Sequence, residues 1–160
     1  MCSAVLKLTH QIHSEICNSL SESTFEKGIV LGLSEDGIVR NLYHDTTATS
    51  TEKSYTPDVK AVNEVLKKWY EDKVIMCGIV HSHTKENHFP SCADINYAIS
   101  ILKALDTTKE FFIPIYYNSL NENKKGLYGY CVWFSESGKP CFGECKIEII
   151  DQQGPEEVKK

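Results

Sequence analysis

Val74-Ile75-Met76-Cys77-Gly78-Ile79-Val80-His81-Ser82-His83 is the stretch that decides the reading of this chain, together with Ser91-Cys92-Ala93-Asp94 a little further on. A near-continuous apolar run of this kind predicts a central strand buried on both faces. Side chains alternate along a strand, so His81 and His83 point to the same side, with Cα atoms roughly 6–7 Å apart. Two imidazoles at that spacing can converge on one ion. Ser91 to Asp94 then opens a helix in the manner of a capping box, with Asp in place of the usual Glu or Gln. Ile95, Ile99, Leu102 and Leu105 supply the buried face of that helix. The polar loop between strand and helix swings the chain back, so Asp94, in the first turn, can offer a third ligand.

Two neutral imidazoles and a carboxylate suit Zn2+. Three protein ligands leave a fourth tetrahedral position for water, the mark of a catalytic rather than a structural site. Such a site lowers the pKa of its water from about 15.7 toward roughly 7 and needs a further carboxylate to move the proton. His-x-His alone is weak, because strand-end histidines are more often polar surface or core residues. The Ser and Asp at fixed offsets on the adjoining helix tip the balance toward a metal.

Outward from this segment, Val5, Leu8, Ile12, Ile16 and Leu20 recur every three or four residues and predict an amphipathic helix over the first twenty residues. His10 and His13 lie on it without a third ligand nearby and are read as solvated or half-buried. Gly28 to Ser34 and Ile38 to Tyr43, joined through Asp36-Gly37, predict a hairpin. Residues 45–54 are rich in Thr and Ser and predict a loop. Thr56-Pro57-Asp58 predicts a helix start capped by Thr56, followed by a stripe of Val59, Val62, Val65, Leu66 and Trp69. Glu110 to Tyr117, Leu127 to Phe134 and a last segment near Cys141 to Ile150 predict strands. His88, in the metal loop, is expected to be exposed, and Ser82 to turn away from the metal.

The chain has 160 residues, enough for one core, and its net charge is −5. That balance gives no support for a nucleic-acid partner. No stretch approaches the roughly 20 apolar residues of a membrane span, and the N-terminus has no signal pattern, so a cytoplasmic location is expected. The seven cysteines are scattered with no CxxC pair, which predicts free thiols rather than a metal framework.

The run His81-x-His83-x7-Ser91-x2-Asp94 resembles, residue for residue, the motif of the JAMM metalloproteases, the JAB/MPN domain family. The order of predicted elements is similar to that family's across nearly the whole chain. The resemblance implies an α/β fold: a JAB/MPN-like domain over residues 1–150, with a mainly antiparallel, mixed, curved sheet flanked by two to three helices. A polar tail over 151–160 is expected to fray. The resemblance also implies one catalytic Zn2+ held by His81, His83 and Asp94. Glu26, just ahead of the first apolar strand, would be the acid–base residue, with Glu22 as its rival. Ser91 would help to stabilise the oxyanion besides capping its helix.

The implied activity is that of a zinc isopeptidase or peptidase acting at the C-terminus of a ubiquitin-like protein, by deconjugation or precursor processing, in settings such as antiphage conjugation operons. A sulfur-carrier-protein hydrolase of cysteine or cofactor biosynthesis is the alternative within the enzyme class. A non-catalytic scaffold binding ubiquitin-like partners is the alternative outside it. Thr84 stands where many members have proline, and Glu26-x-Gly28 is one residue shorter than the Glu-x-x-Gly of common members. The long C-terminal extension and extra Cys/His zinc site of some members are not seen, so a minimal, stand-alone domain is expected.

Overall fold

In the computed structural model, which describes residues 2–22, 24–84, 87–106 and 108–151, the apolar run forms β6 (Ile75–His83), and its strand includes both histidines. One flank pairs with β2 (Gly28–Leu33), itself joined to β3 (Val39–His44) through a turn in which Gly37 takes φ +78°. A side chain there would be strained, which is why Asp-Gly marks the hairpin.

The other flank is shared by two short strands, β7 (Glu110–Phe112) and β8 (Ile115–Tyr117). The single strand expected over Glu110 to Tyr117 is broken at Pro114, which has no N–H for a ladder; its carbonyl accepts the His81 amide at 3.3 Å. Leu127 to Phe134 likewise divides, into β9 (Gly126–Tyr128) and β10 (Tyr130–Phe134). At the intervening Gly129 a Cβ would run into the Cys145 carbonyl and Ile147. The last segment forms β11 (Pro140–Glu144) and β12 (Lys146–Ile150).

One sequence expectation needs correcting at the N-terminus. Leu6 and Leu8 are buried and Lys7 between them is exposed, so the first apolar residues follow a period of two and form β1 (Val5–Thr9). The helix α1 (His10–Ser21) starts only after it, with Thr9 Oγ1 accepting the Ile12 amide at 3.1 Å. β1 lies parallel to both β3 and β12, partners that local periodicity cannot reveal.

The large sheet runs β11-β10-β7-β6-β2-β3-β1-β12, with β8 and β9 branching from β6. Four of its ladders are parallel (β1 with β3 and β12, β6 with β7 and β8), so it is more evenly mixed than expected. It curls into a half-barrel whose ends approach each other. There the Cys145 amide donates to the Gly129 carbonyl at 3.1 Å, and Cys2 and Cys131 are paired sulfur to sulfur. These two depart from the expected free thiols; Cys17, Cys77, Cys92, Cys141 and Cys145 are free.

On one face α1 packs Ile12, Ile16 and Leu20 against Leu6, Leu8, Ile29 and Leu31. On the other, Val62 and Trp69 of α2 (Val59–Glu71) and Ala98 and Leu102 of α3 (Cys92–Ala104) cover Val30, Met76, Ile79 and Phe111. Asp58, not Thr56, caps α2, its carboxylate accepting the Ala61 amide at 3.1 Å. Part of the predicted loop over 45–54 joins a small ladder of β4 (Thr49–Ser50) with β5 (Tyr55–Thr56). No described helix is long and apolar enough to cross a membrane. Of the tail over 151–160, only Asp151 lies among the described residues, and it meets His10 at 2.7 Å.

Candidate metal centre

Strand parity aims the two imidazoles. Ile79, His81 and His83 share one face of β6, and Ile79 packs in the cluster covered by α2 and α3. His81 and His83 therefore face α3, whose first turn carries Asp94. The capping box holds that residue in place: Ser91 Oγ accepts the Asp94 amide at 3.1 Å, and Asp94 Oδ2 accepts the Ser91 amide at 2.7 Å. The same Oδ2 lies 3.3 Å from His81 Nε2 and 3.7 Å from His83 Nε2, and the two Nε2 atoms are 3.1 Å apart.

Glu26 arrives by a different route. β2 and β6 are antiparallel with Gly28 opposite His81, which brings the residues ahead of β2 alongside the histidines. Ser82, fully buried between the histidines, clamps that approach. Its Oγ accepts the Lys27 amide at 2.9 Å and its own amide donates to the Lys27 carbonyl at 3.0 Å. The Glu26 amide donates to Thr51 O at 2.9 Å, tying the segment to the β4–β5 ladder. The result is that Glu26, His81 and His83 present ligand atoms within 4.8 Å of one another. Glu22, the rival carboxylate, sits at the C-cap of α1 and lines no part of this site.

These donors fit a small divalent cation. Ligand atoms bound at about 2.0–2.1 Å around a tetrahedral zinc lie roughly 3.3 Å from one another, and the separations of 3.1, 3.3 and 3.7 Å bracket that value. His83 Nδ1–H donates to the Asn87 carbonyl at 2.9 Å, which leaves Nε2 as the nitrogen with a lone pair for the ion. Burial opposes the charge on Asp94, yet its contacts with His81 and His83 outweigh it and hold the carboxyl well below its usual range. Burial likewise lowers the His83 pKa, but Asp94, the Asn87 carbonyl and the charge of Glu26 together carry it above the ordinary imidazole value.

Supporting residues complete the site, and the sequence offered little sign of them. Tyr55 packs over Gly28 and stacks near His81, ring centroids 6.3 Å apart and planes 17° from parallel. Its hydroxyl donates to Asp45 Oδ2 at 2.7 Å, and burial together with that carboxylate pushes the phenol pKa far up, so it remains a donor. His88 departs from its expected exposure. It is half-buried, stacked on Tyr128 at 3.9 Å, with Nδ1 2.7 Å from the hydroxyl of the buried Tyr130. His10 and His13 lie on α1, against the opposite face of the sheet.

The centre opens into a cleft of about 390 Å3, bounded by Glu26, His83, Ser91 and Asp94 on one side and residues 52–56 on the other. No protein-family model matches the chain, and no curated protein does. Among solved structures, it is similar to the solution structure of protein DSY2949 from Desulfitobacterium hafniense, with a TM-score of 0.63. The two are 18% identical over 93% of this chain and 96% of that one. At this identity the likeness shows the fold: an α/β arrangement of curled mixed sheet and three helices. Within that fold, this chain carries a cluster of Glu26, His81 and His83 able to hold a metal ion.

Proposed function

We propose that this chain is a JAMM-type, JAB/MPN-fold hydrolase that cuts the peptide or isopeptide bond at the C-terminus of a ubiquitin-like protein. The observation that carries the reading is the spacing of His81 Nε2, His83 Nε2 and Asp94 Oδ2, set for one small cation, with a second carboxylate, Glu26, beside them. His81, His83 and Asp94 hold Zn2+. When bound, the ion supplies Lewis acidity, polarising a carbonyl and acidifying water near neutral pH.

The remaining steps belong to side chains. The Glu26 carboxylate accepts a proton from the attacking water and passes it to the departing amine. Glu26, 8% exposed, lines the cleft next to the histidines, where it can reach both the water and the amine. Ser91 Oγ accepts the Asp94 amide with one lone pair, and its hydroxyl hydrogen is the donor available to an oxygen in the cleft. The cleft is walled by residues 52–56, the turn after β4 and β5 itself, beside which an extended substrate tail can lie as a further strand.

The test is Glu26→Gln. The variant is expected to retain one zinc per chain and to bind a ubiquitin-like conjugate while losing cleavage, with zinc measured by elemental analysis and cleavage by intact mass. Turnover preserved in the zinc-loaded variant would move the base elsewhere. A wild-type chain purified without chelator that holds no stoichiometric zinc would remove the hydrolase reading.

A further inference from the structure

The hydrolase reading leaves the histidines of α1 unused, and the structure sets a thiol beside them. His13 Nε2 and Cys17 Sγ lie 3.6 Å apart, one helical turn from each other, on the face of the sheet opposite the Glu26 and His81 cluster. Around a tetrahedral zinc, a nitrogen at about 2.0–2.1 Å and a sulfur at about 2.3 Å stand roughly 3.5–3.6 Å from each other. The pair already has the separation that one ion imposes.

The surroundings prepare both atoms as ligands. His13 is half-buried, and burial together with the neighbouring His10 lowers its pKa, so its ring is neutral at neutral pH and keeps a lone pair. Cys17 packs against the apolar cluster under α1, and burial pushes its thiol up, so the empty pair is a neutral thiol beside a neutral imidazole. An entering cation takes the place of the thiol proton. The S–H bond breaks, the thiolate and Nε2 bind the ion, and one proton leaves to solvent. His10 stands on the same flank: at about 100° per residue, His10, His13 and Cys17 fall within an arc of about 60°. Its side chain is 70% exposed and meets Asp151 through Nε2 at 2.7 Å. That contact leaves Nδ1 to act as the acceptor, the carboxylate–histidine arrangement common at metal sites.

We propose that His13 and Cys17, joined by His10, form a second metal site on α1, for a thiophilic cation of the Zn2+, Cd2+ or Cu+ class. The site stands independently of the hydrolase reading. His81, His83, Asp94 and Glu26 offer nitrogen and oxygen alone, whereas a sulfur ligand draws the softer ions to α1.

Metal-free protein is titrated with Co2+ under anaerobic conditions. Thiolate-to-cobalt charge transfer absorbs in the near ultraviolet and arises only where sulfur binds the ion, so filling of the nitrogen–oxygen centre leaves it silent. Wild type is expected to develop this band, with one ion per chain bound through sulfur. Cys17→Ser abolishes it, and His13→Ala and His10→Ala each weaken the titration about tenfold or more. Cys145→Ser leaves it unchanged. A second measurement needs no variant to fold: in wild type, Zn2+ slows alkylation of Cys17 by iodoacetamide about tenfold or more, while Cys141 reacts at its metal-free rate. No band in wild type, a band that survives Cys17→Ser, unchanged affinity in either histidine variant, or Cys17 alkylation indifferent to Zn2+ overturns the site.

Discussion

Gly28→Ala probes the packing that shapes the cleft wall. Gly28 lies opposite His81, and a Cβ built there lands within the Tyr55 ring, whose atoms are its three nearest neighbours. That ring is not free to slide, because Asp45 Oδ2 holds its hydroxyl at 2.7 Å and also takes the Asp58 amide at 3.1 Å. Displacing Tyr55 breaks a hydrogen bond to a buried carboxylate, a loss of about 1.5–3 kcal/mol. Alanine in a strand recovers about 0.5–1 kcal/mol relative to glycine. The net destabilisation is therefore about 0.5–2.5 kcal/mol, measurable as a lowered midpoint in urea unfolding of the metal-free protein. The decisive comparison is a double-mutant cycle with Tyr55→Ala. Once the ring is gone, the added methyl no longer meets it, and Gly28→Ala is left with its gain of about 0.5–1 kcal/mol, a coupling of about 1.5–3 kcal/mol. Strictly additive costs would refute the reasoning, since the clash with a tethered ring predicts that the second substitution relieves the first.

His88→Ala is expected to weaken zinc binding about 10- to 100-fold, as supporting residues of metal ligands commonly do. It releases the loop whose Asn87 carbonyl orients His83. Tyr130→Phe should show a smaller loss, with both measured by chelator competition; unchanged affinity in the two would dissociate the loop anchor from the centre. The metal-free protein should also show a pH signature. Asp94, depressed, contributes stability above its unshifted 3.8 that fades as pH falls through its lower folded value. His83, raised, contributes stability below 6.5 that fades as pH climbs through its higher folded value. The stability gap between wild type and Asp94→Asn is thus expected to be widest between about pH 4 and 6.5 in urea titrations; a gap that instead grew toward pH 9 would contradict the pairing. Zinc uptake should run the other way, weakening in acid as protons compete for His83.

Much of the site was legible because its geometry is local. The period of two along β6 sets His81 and His83 on one side, and the Ser91–Asp94 capping box places a carboxylate at a known turn of the next helix. Both signals act over a few residues, where backbone geometry dictates direction. The β2–β3 hairpin announced itself through Asp36-Gly37 for the same reason. What failed was local pattern without its partner. The residues of β1 could satisfy a helical period until β3 and β12 offered a parallel edge, and Leu6-Lys7-Leu8 was too short a signal to settle it. Pro114 and Gly129 split strands that read as continuous, since a missing N–H and a close backbone approach matter only once the neighbouring strand is present.

From its sequence alone, then, the chain determined the direction of two imidazoles, the capping box of α3, and an acidic α/β character. Tertiary structure alone decided that Glu26 reaches the histidines through the Ser82 clamp on Lys27, and that Tyr55, its hydroxyl held by Asp45, walls the cleft. It also decided that His88 is held among tyrosines rather than in water. The division follows from range: torsional and hydrogen-bonding preferences act between near neighbours in the chain. Convergence of residues tens of positions apart is set by sheet register and by which faces bury together, and neither is written in any single segment.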